Sequence, residues 1–233
     1  MYSIKKEYSK FSNVAYECID RLKVNDPSSA NRTVLIKDVY DKKSVYISTC
    51  GVLNTLWQSW NKFWRIYWLT HIYGGIGFYG AIPYNNIGIN TITSKKMCRR
   101  LSEGEAIYHL LRSSNWNMNR YRNGSSIPSH QEPTWGDINI IQKVSMRHFT
   151  PGNHILSAIS IFGNSAIHLQ KVRNCSIHLT KSGMIDLESS IIPSYKISNI
   201  KYPTDIIFSE ALGSNKMALN EWVDELTALL ELI

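Results

Sequence analysis

Cysteine is sparse in this chain and never paired. Its four cysteines, Cys18, Cys50, Cys98 and Cys175, stand far apart with no C-x-x-C spacing. That argues against a zinc ligand set and a disulfide framework, and suits a reducing compartment. Paired carboxylates and Asp/Glu-rich stretches with metal-ligand spacing are missing too, so a two-metal mechanism lacks ligands. The most hydrophobic stretch, Leu53 to Pro83, is interrupted by Lys62, Arg65 and four closely spaced glycines, which does not read as a membrane span. No apolar segment follows Lys5 and Lys6, so a signal peptide is not expected. Internal repeats, low-complexity tracts and a Walker-type lysine loop are likewise absent. The expectation is a cytoplasmic protein with no metal, no cofactor and no membrane partner.

Acidic residues are outnumbered, and unevenly. Residues 1–100 hold fifteen Lys and Arg against six acids, residues 101–200 nine against six, and residues 201–233 two against six. The net charge of +8 therefore divides into +9, +3 and −4. A basic body with an acidic tail suits a polyanionic partner such as nucleic acid. The apolar fraction of 43% and charged fraction of 19% are those of a globular chain, and 233 residues can bury a sizeable core.

Apolar periodicity marks several helices. Phe11, Val14, Ala15, Cys18, Ile19 and Leu22 form one face over 7–23, closed by Asp26-Pro27-Ser28-Ser29. Residues 31–50 read as short strands at Val34-Leu35-Ile36 and Val45-Tyr46-Ile47 or as a crowded helix, with the helix favoured. Over 51–73, Trp57, Trp60, Trp64 and Trp68 recur with Leu53, Leu56, Phe63 and Tyr67 beside them. Such a stripe suits core packing better than a base-stacking platform. Asn54, Asn61 and Arg65 share that helix and need partners if they point inward, and an inward Arg65 is a candidate phosphate ligand. Ser102-Glu103-Gly104-Glu105 has the form of a capping box opening a helix to about Arg112. Residues 123–133 read as turn and linker, and 184–207 as irregular with room for a small β-hairpin. A last helix over 216–232 puts Leu219, Trp222, Val223, Leu226 and Leu230 inward. The fold class is therefore mainly α, one domain over 1–233 with a loop-rich basic insertion at about 74–134.

Gly75-Ile76-Gly77-Phe78-Tyr79-Gly80 matches G-x-G-x-x-G by letter only. A dinucleotide site follows a strand, opens a helix and is trailed by an acid some twenty residues on. Here an aromatic helix precedes the string and Lys95-Lys96 stand where the acid belongs, so a glycine-rich turn is expected. Further on, Lys95, Lys96, Arg99, Arg100, Arg112, Arg120 and Arg122 stand against Glu103 and Glu105 and are interleaved with Tyr108, His109, Trp116 and Tyr121. Cations mixed with aromatics serve single-stranded RNA, through phosphate neutralisation plus stacking. A solvated basic loop fits the same residues.

The most informative string is Arg173-Asn174-Cys175-Ser176-Ile177-His178. Ile155, Ala158, Ile159, Phe162, Ala166, Leu169 and Val172 lead into it as an amphipathic helix over about 153–181, with Lys181 and Gly183 as its stop. Arginine offers a fixed fork of donors matched to phosphate oxygens, and an exposed imidazole exchanges protons near neutrality. On a helix Asn174 and His178 lie one above the other, with Arg173 about 100° round. Arg147 and His154 share the spacing, but Pro151 and Gly152 interrupt any helix that would hold both.

The string resembles the R-x4–6-H signature of the HEPN family, small helical proteins that are often metal-independent ribonucleases, and Asn after the Arg is its commonest form. The resemblance implies a HEPN-like helical bundle and a symmetric homodimer whose two motifs share one cleft. It also implies a toxin or anti-phage endoribonuclease with an RNA substrate and an antitoxin or defence-system partner protein. Arg173, Asn174 and His178 become the catalytic residues, with Lys95, Lys96, Arg99, Arg100, Arg120, Arg122 and Arg65 as RNA-binding candidates. The branch controlled by modification of a Tyr two residues after the His is not matched, because Leu179-Thr180 follows here. The alternative is a non-catalytic helical scaffold in a larger defence or regulatory complex.

Overall fold

The computed structural model describes residues 1–29, 32–83, 101–121, 124–149 and 154–233, apart from the side chains of Arg120 and Tyr121. The chain is mainly helical. Its described helices are α1 (Ile4–Asp20), α2 (Lys42–Tyr73), α3 (Glu103–Ser113), α4 (Ile138–His148), α5 (His154–Ile177), α6 (Lys181–Ser190) and α7 (Ala218–Glu231). Five short strands accompany them: β1 (Tyr2–Ser3), β2 (Lys23–Asn25), β3 (Thr33–Leu35), β4 (Gly75–Ile76) and β5 (Ala81–Ile82). The chain forms two compact units, one of Met1–Lys10, Trp60–Ile161 and Leu232–Ile233, the other of Phe11–Ser59 and Phe162–Glu231.

In the first unit the tryptophan stripe is core: Trp60, Trp64 and Trp68 are fully buried, as are Ile72, Leu110 and Ile141. The glycine run makes a turn, as its setting implied. Gly74 takes a left-handed φ of 76° just past α2, the usual helix C′ position. Gly75 follows in β4, which pairs parallel with β1 and antiparallel with β5. A Cβ there would lie 2.4 Å from the Tyr2 carbonyl oxygen, so β1 can approach only because residue 75 is glycine. The capping box is present as read, with the Ser102 Oγ accepting from the Glu105 N–H and the Glu105 carboxylate from the Ser102 N–H. Within the expected 74–134 insertion the chain thus holds a hairpin and α3.

Arg65 does point inward, toward carboxylates. Its Nε and Nη2 donate to the two Glu132 oxygens at 2.7 and 2.8 Å, and Nη2 also meets Glu103 at 2.8 Å. Tyr2 donates its hydroxyl to Glu103, and Trp135 Nε1 donates to Glu132 at 2.8 Å. Asn61 finds its partner one turn earlier on α2: its Oδ1 accepts the Gly136 N–H at 2.8 Å, while Trp60 Nε1 donates to the Gly136 carbonyl at 2.9 Å.

The second unit gathers the rest of α1, the β2–β3 hairpin, α2 up to Ser59, α5 from Phe162, and α6 and α7. Its core includes Phe11, Leu22, Leu53, Leu56, Leu169 and Trp222. Three expectations change here. First, the helix expected from 51 begins at Lys42, because Asp41 caps it: Oδ1 accepts the Lys43 and Ser44 N–H groups at 3.0 and 3.1 Å. Residues 33–35 meanwhile pair as strand β3, so the favoured all-helical reading of 31–50 holds only for its second half. Second, Lys181 and Gly183 do not stop α5. The helix ends at Ile177, and Gly183 is the third residue of α6, where Thr180 caps by accepting its N–H at 3.1 Å. Third, 184–207 forms no hairpin of its own. It holds the rest of α6 and short 3-10 turns, with Tyr195 bridging outward to Ala211.

Candidate functional site

The Arg173 string occupies the last turn of α5 and the residue beyond it. Val172 and Cys175 face the core, which turns Asn174 and His178 to solvent and leaves Arg173 half-buried between. His178 is one residue past the helix, yet its N–H still closes an α-type bond to the Asn174 carbonyl at 3.0 Å. Its ring has no hydrogen-bond partner among the described residues. The three side chains therefore share one exposed helix end, but no hydrogen bond joins the imidazole to the guanidinium.

What fixes Arg173 is Asn54. The Asn54 Oδ1 accepts from Arg173 Nη2 at 2.8 Å and from Nε at 3.2 Å, while Nη1 donates to Asn174 Oδ1 at 3.0 Å. Every one of these acceptors is a neutral amide oxygen. No carboxylate pairs with Arg173 among the described residues, and burial draws its pKa below the ordinary value. The contrast with Arg65 is plain: there the Glu132 hydrogen bonds come first among causes that raise the pKa. One half-buried arginine is matched by two carboxylates, the other by none. A guanidinium with five donors, three of them spent on amides, keeps both charge and N–H capacity for an anion.

A helix C-terminus is the electronegative end and by itself repels phosphate. Here that field is partly answered from α2. Tyr46 donates its hydroxyl to the Ser176 carbonyl at 2.6 Å, and Cys50 Sγ approaches the same oxygen at 3.8 Å. Burial is the main cause pushing the Tyr46 pKa up to about 12, so the phenol stays a donor at neutral pH. Tyr46 carried no sequence signal. Asn54 did carry one, as an amide on the apolar face of an aromatic helix, which needs a buried partner.

The other sequence candidates fall elsewhere. Lys95, Lys96, Arg99, Arg100 and Arg122 lie outside the described residues, and of Arg120 only the backbone is described, in a 3-10 turn over Met118–Tyr121. Arg65 belongs to the first unit, where Glu132 and Glu103 meet its charge. His154 opens α5 and Arg147 sits in the last turn of α4, so separate helices carry that pair. Among the described residues no group of three or more His, Cys, Asp or Glu side chains could hold a metal ion. No described helix is long and apolar enough to cross a membrane. No protein-family model matches the chain, and neither a curated protein nor a solved structure matches it.

Proposed function

We propose that this chain is a metal-independent endoribonuclease of the HEPN type, acting as a toxin or anti-phage effector. The observation that carries the reading is Arg173, a half-buried cation oriented by two amides, unmatched by any described carboxylate and one helix turn from an exposed histidine. In the reaction the 2′-oxygen of the substrate forms a bond to the adjacent phosphorus and the bond to the 5′-oxygen breaks. The 2′-hydroxyl proton leaves to a base and the 5′-oxygen gains a proton, giving a 2′,3′-cyclic phosphate and a 5′-hydroxyl. Arg173 holds the phosphoryl oxygens as charge builds on them, a contribution on the order of 3–4 kcal/mol. Asn174 and Asn54 aim the guanidinium, and His178 transfers the proton.

One imidazole cannot stand at both oxygens at once, and a homodimer that brings two copies of the motif together supplies the second. Ile177 and Leu179 flank His178 in sequence and are 42% and 52% exposed, an apolar margin that suits a second copy. The test is cleavage of single-stranded RNA by the purified protein in EDTA. Wild type should cut, Arg173→Ala and His178→Ala should each lose about two orders of magnitude or more, and a single 2′-deoxy nucleotide 5′ of the cut should block the reaction. Equal cleavage by wild type and His178→Ala, or a strict need for Mg²⁺, overturns the reading.

The second reading is a non-catalytic helical scaffold. The favouring observation is that two guanidinium donors of Arg173 are already spent on Asn54, as a structural arginine tying α5 to α2 would spend them. On that reading wild-type and His178→Ala proteins express equally well in cells, whereas a ribonuclease toxin is tolerated only as the variant.

A further inference from the structure

A cavity of about 380 Å³ opens in the second unit, lined from one side by the 3-10 turn after β3 and the start of α2, and from the other by the segment 196–209. That volume lies within the range of small-molecule sites, roughly 300–1,000 Å³. Lys37, Lys42 and Lys196 line it against a single carboxylate, Asp205. The Asp205 carboxylate is turned to the backbone, where Oδ2 accepts the Lys201 and Tyr202 N–H groups at 2.8 and 2.9 Å. Lys196 is matched by Glu210 at 2.9 Å, but Lys37 and Lys42 have no ion-pair partner among the described residues. Apart from Ser209, the remaining lining is aromatic and apolar. Phe208 lies under Lys37, whose Nζ is 5.6 Å from the ring centroid, and Tyr40 stands 53% exposed at the edge.

Cations without a described carboxylate partner beside two aromatic rings, the half-buried Phe208 and the exposed Tyr40, are two halves of one recognition chemistry. The cations take a phosphate, and the ring takes the π-face of a base. A carboxylated or purely apolar ligand would use only one half. The residue after Val45 of the cavity lining reaches the Arg173 helix end. That residue, Tyr46, stacks on Tyr202 with ring centroids 4.5 Å apart and donates to Ser176 in the last turn of α5. Lys201 lies over the same Tyr202 ring at 5.4 Å.

We propose that this cavity is a nucleoside-phosphate site, with Lys37 and Lys42 on the phosphate and Phe208 and Tyr40 on the base. Resting on the ribonuclease reading, it holds a nucleotide of the RNA that flanks the phosphate at Arg173. The shared chemistry has two sources, an RNA strand or a free mononucleotide, and the experiment separates them. Binding of a fluorescein-labelled, mixed-sequence 2′-O-methyl RNA decamer, which 2′-hydroxyl attack cannot cut, is followed by anisotropy. The full-length wild type is compared with the double variant Lys37→Glu/Lys42→Glu and with Phe208→Leu. A mixture of the four nucleoside 5′-monophosphates serves as competitor and, separately, as a calorimetric ligand.

The double variant changes only exposed side chains, and a matching circular dichroism melt establishes that it folds. It should weaken decamer binding by on the order of tenfold or more and flatten the log–log salt slope by about 0.7 per lost phosphate contact. Phe208→Leu keeps an apolar side chain there and should lower affinity with the salt slope unchanged, separating stacking from charge. If the monophosphates bind wild type but not the double variant while the decamer does not bind, the site takes free nucleotides. If neither probe binds in a way that the Lys37/Lys42 substitution alters, the proposal is wrong. Failure of the ribonuclease reading is visible separately. A protein that never cuts RNA yet binds the decamer through Lys37 and Lys42 keeps this site and loses the nuclease. A protein that cuts RNA with the same KM in wild type and double variant keeps the nuclease and loses the site.

Discussion

Arg173 and Arg65 show how far one residue type can be divided by its neighbours. Both are half-buried and both donate at least three hydrogen bonds, yet one meets carboxylates and the other only amide oxygens. Asn54 is what keeps Arg173 in the second class, and a single atom exchange there tests it. In Asn54→Asp the acceptor oxygen stays in place but becomes anionic, so the guanidinium acquires a counter-ion. The fold should be unchanged or slightly more stable by urea denaturation, because a charge-assisted bidentate pair replaces a neutral one. RNA affinity and cleavage should fall about tenfold or more, since the phosphate now competes with a fixed carboxylate. If Arg173 is purely structural, stability rises in the same way and no RNA-dependent readout moves.

At the scale of elements, short capping groups and close approaches set where helices begin and how they meet. The reciprocal Ser102–Glu105 box opens α3, and Asp41 opens α2 nine residues earlier than the tryptophan stripe alone suggests. Ser102→Ala should cost about 1 kcal/mol, the usual loss for a removed N-cap. Gly136→Ala should cost more, about 1–3 kcal/mol, although alanine is ordinarily a harmless neighbour of glycine. A Cβ at 136 would stand 2.3 Å from Trp60 Cδ1, while the backbone at that position is already bonded on both sides to Trp60 and Asn61. Chemical denaturation of the two variants checks the order. A Gly136→Ala protein as stable as wild type would falsify the close approach of residue 136 to α2.

At the scale of the whole molecule, three histidines set an acid limit. Burial is the first cause lowering His71, His148 and His168, each to about 4 from an ordinary 6.5. The unfolded chain takes up these protons as pH falls below about 6.5, whereas the folded chain refuses them until about pH 4. Their contribution to stability is therefore complete above about pH 6.5, is lost progressively as pH falls toward 4, and is flat below that. Urea midpoints measured between pH 7.5 and 4 should fall with a slope set by up to three protons. His71→Phe, which keeps a ring beside Tyr67, should flatten that slope by one proton, and an unaltered slope would show that His71 titrates normally in the fold.

Periodicity in the sequence determined the mainly helical class, the aromatic core of α2, the capping box of α3 and the inward face of α7, because these depend on residues within one or two turns of each other. It also put Arg173, Asn174 and His178 together at a solvent-facing helix end, since spacing on a helix is a local matter. The limits of α2 and α5 were less legible. A lone Asp41 or Thr180 becomes a cap only when the chain on both sides adopts the right backbone, and Gly183 reads as a stop until Thr180 starts a new helix around it. Tertiary structure alone decided the charge environment of the two arginines. Glu132 is 67 residues from Arg65 and Asn54 is 119 from Arg173, and no local pattern links such pairs. The same holds for the cavity of Lys37, Lys42 and Phe208, assembled from segments that share no periodicity. A helix is encoded by neighbours in sequence, whereas the field at a site is the sum over neighbours in space, and only folding brings those together.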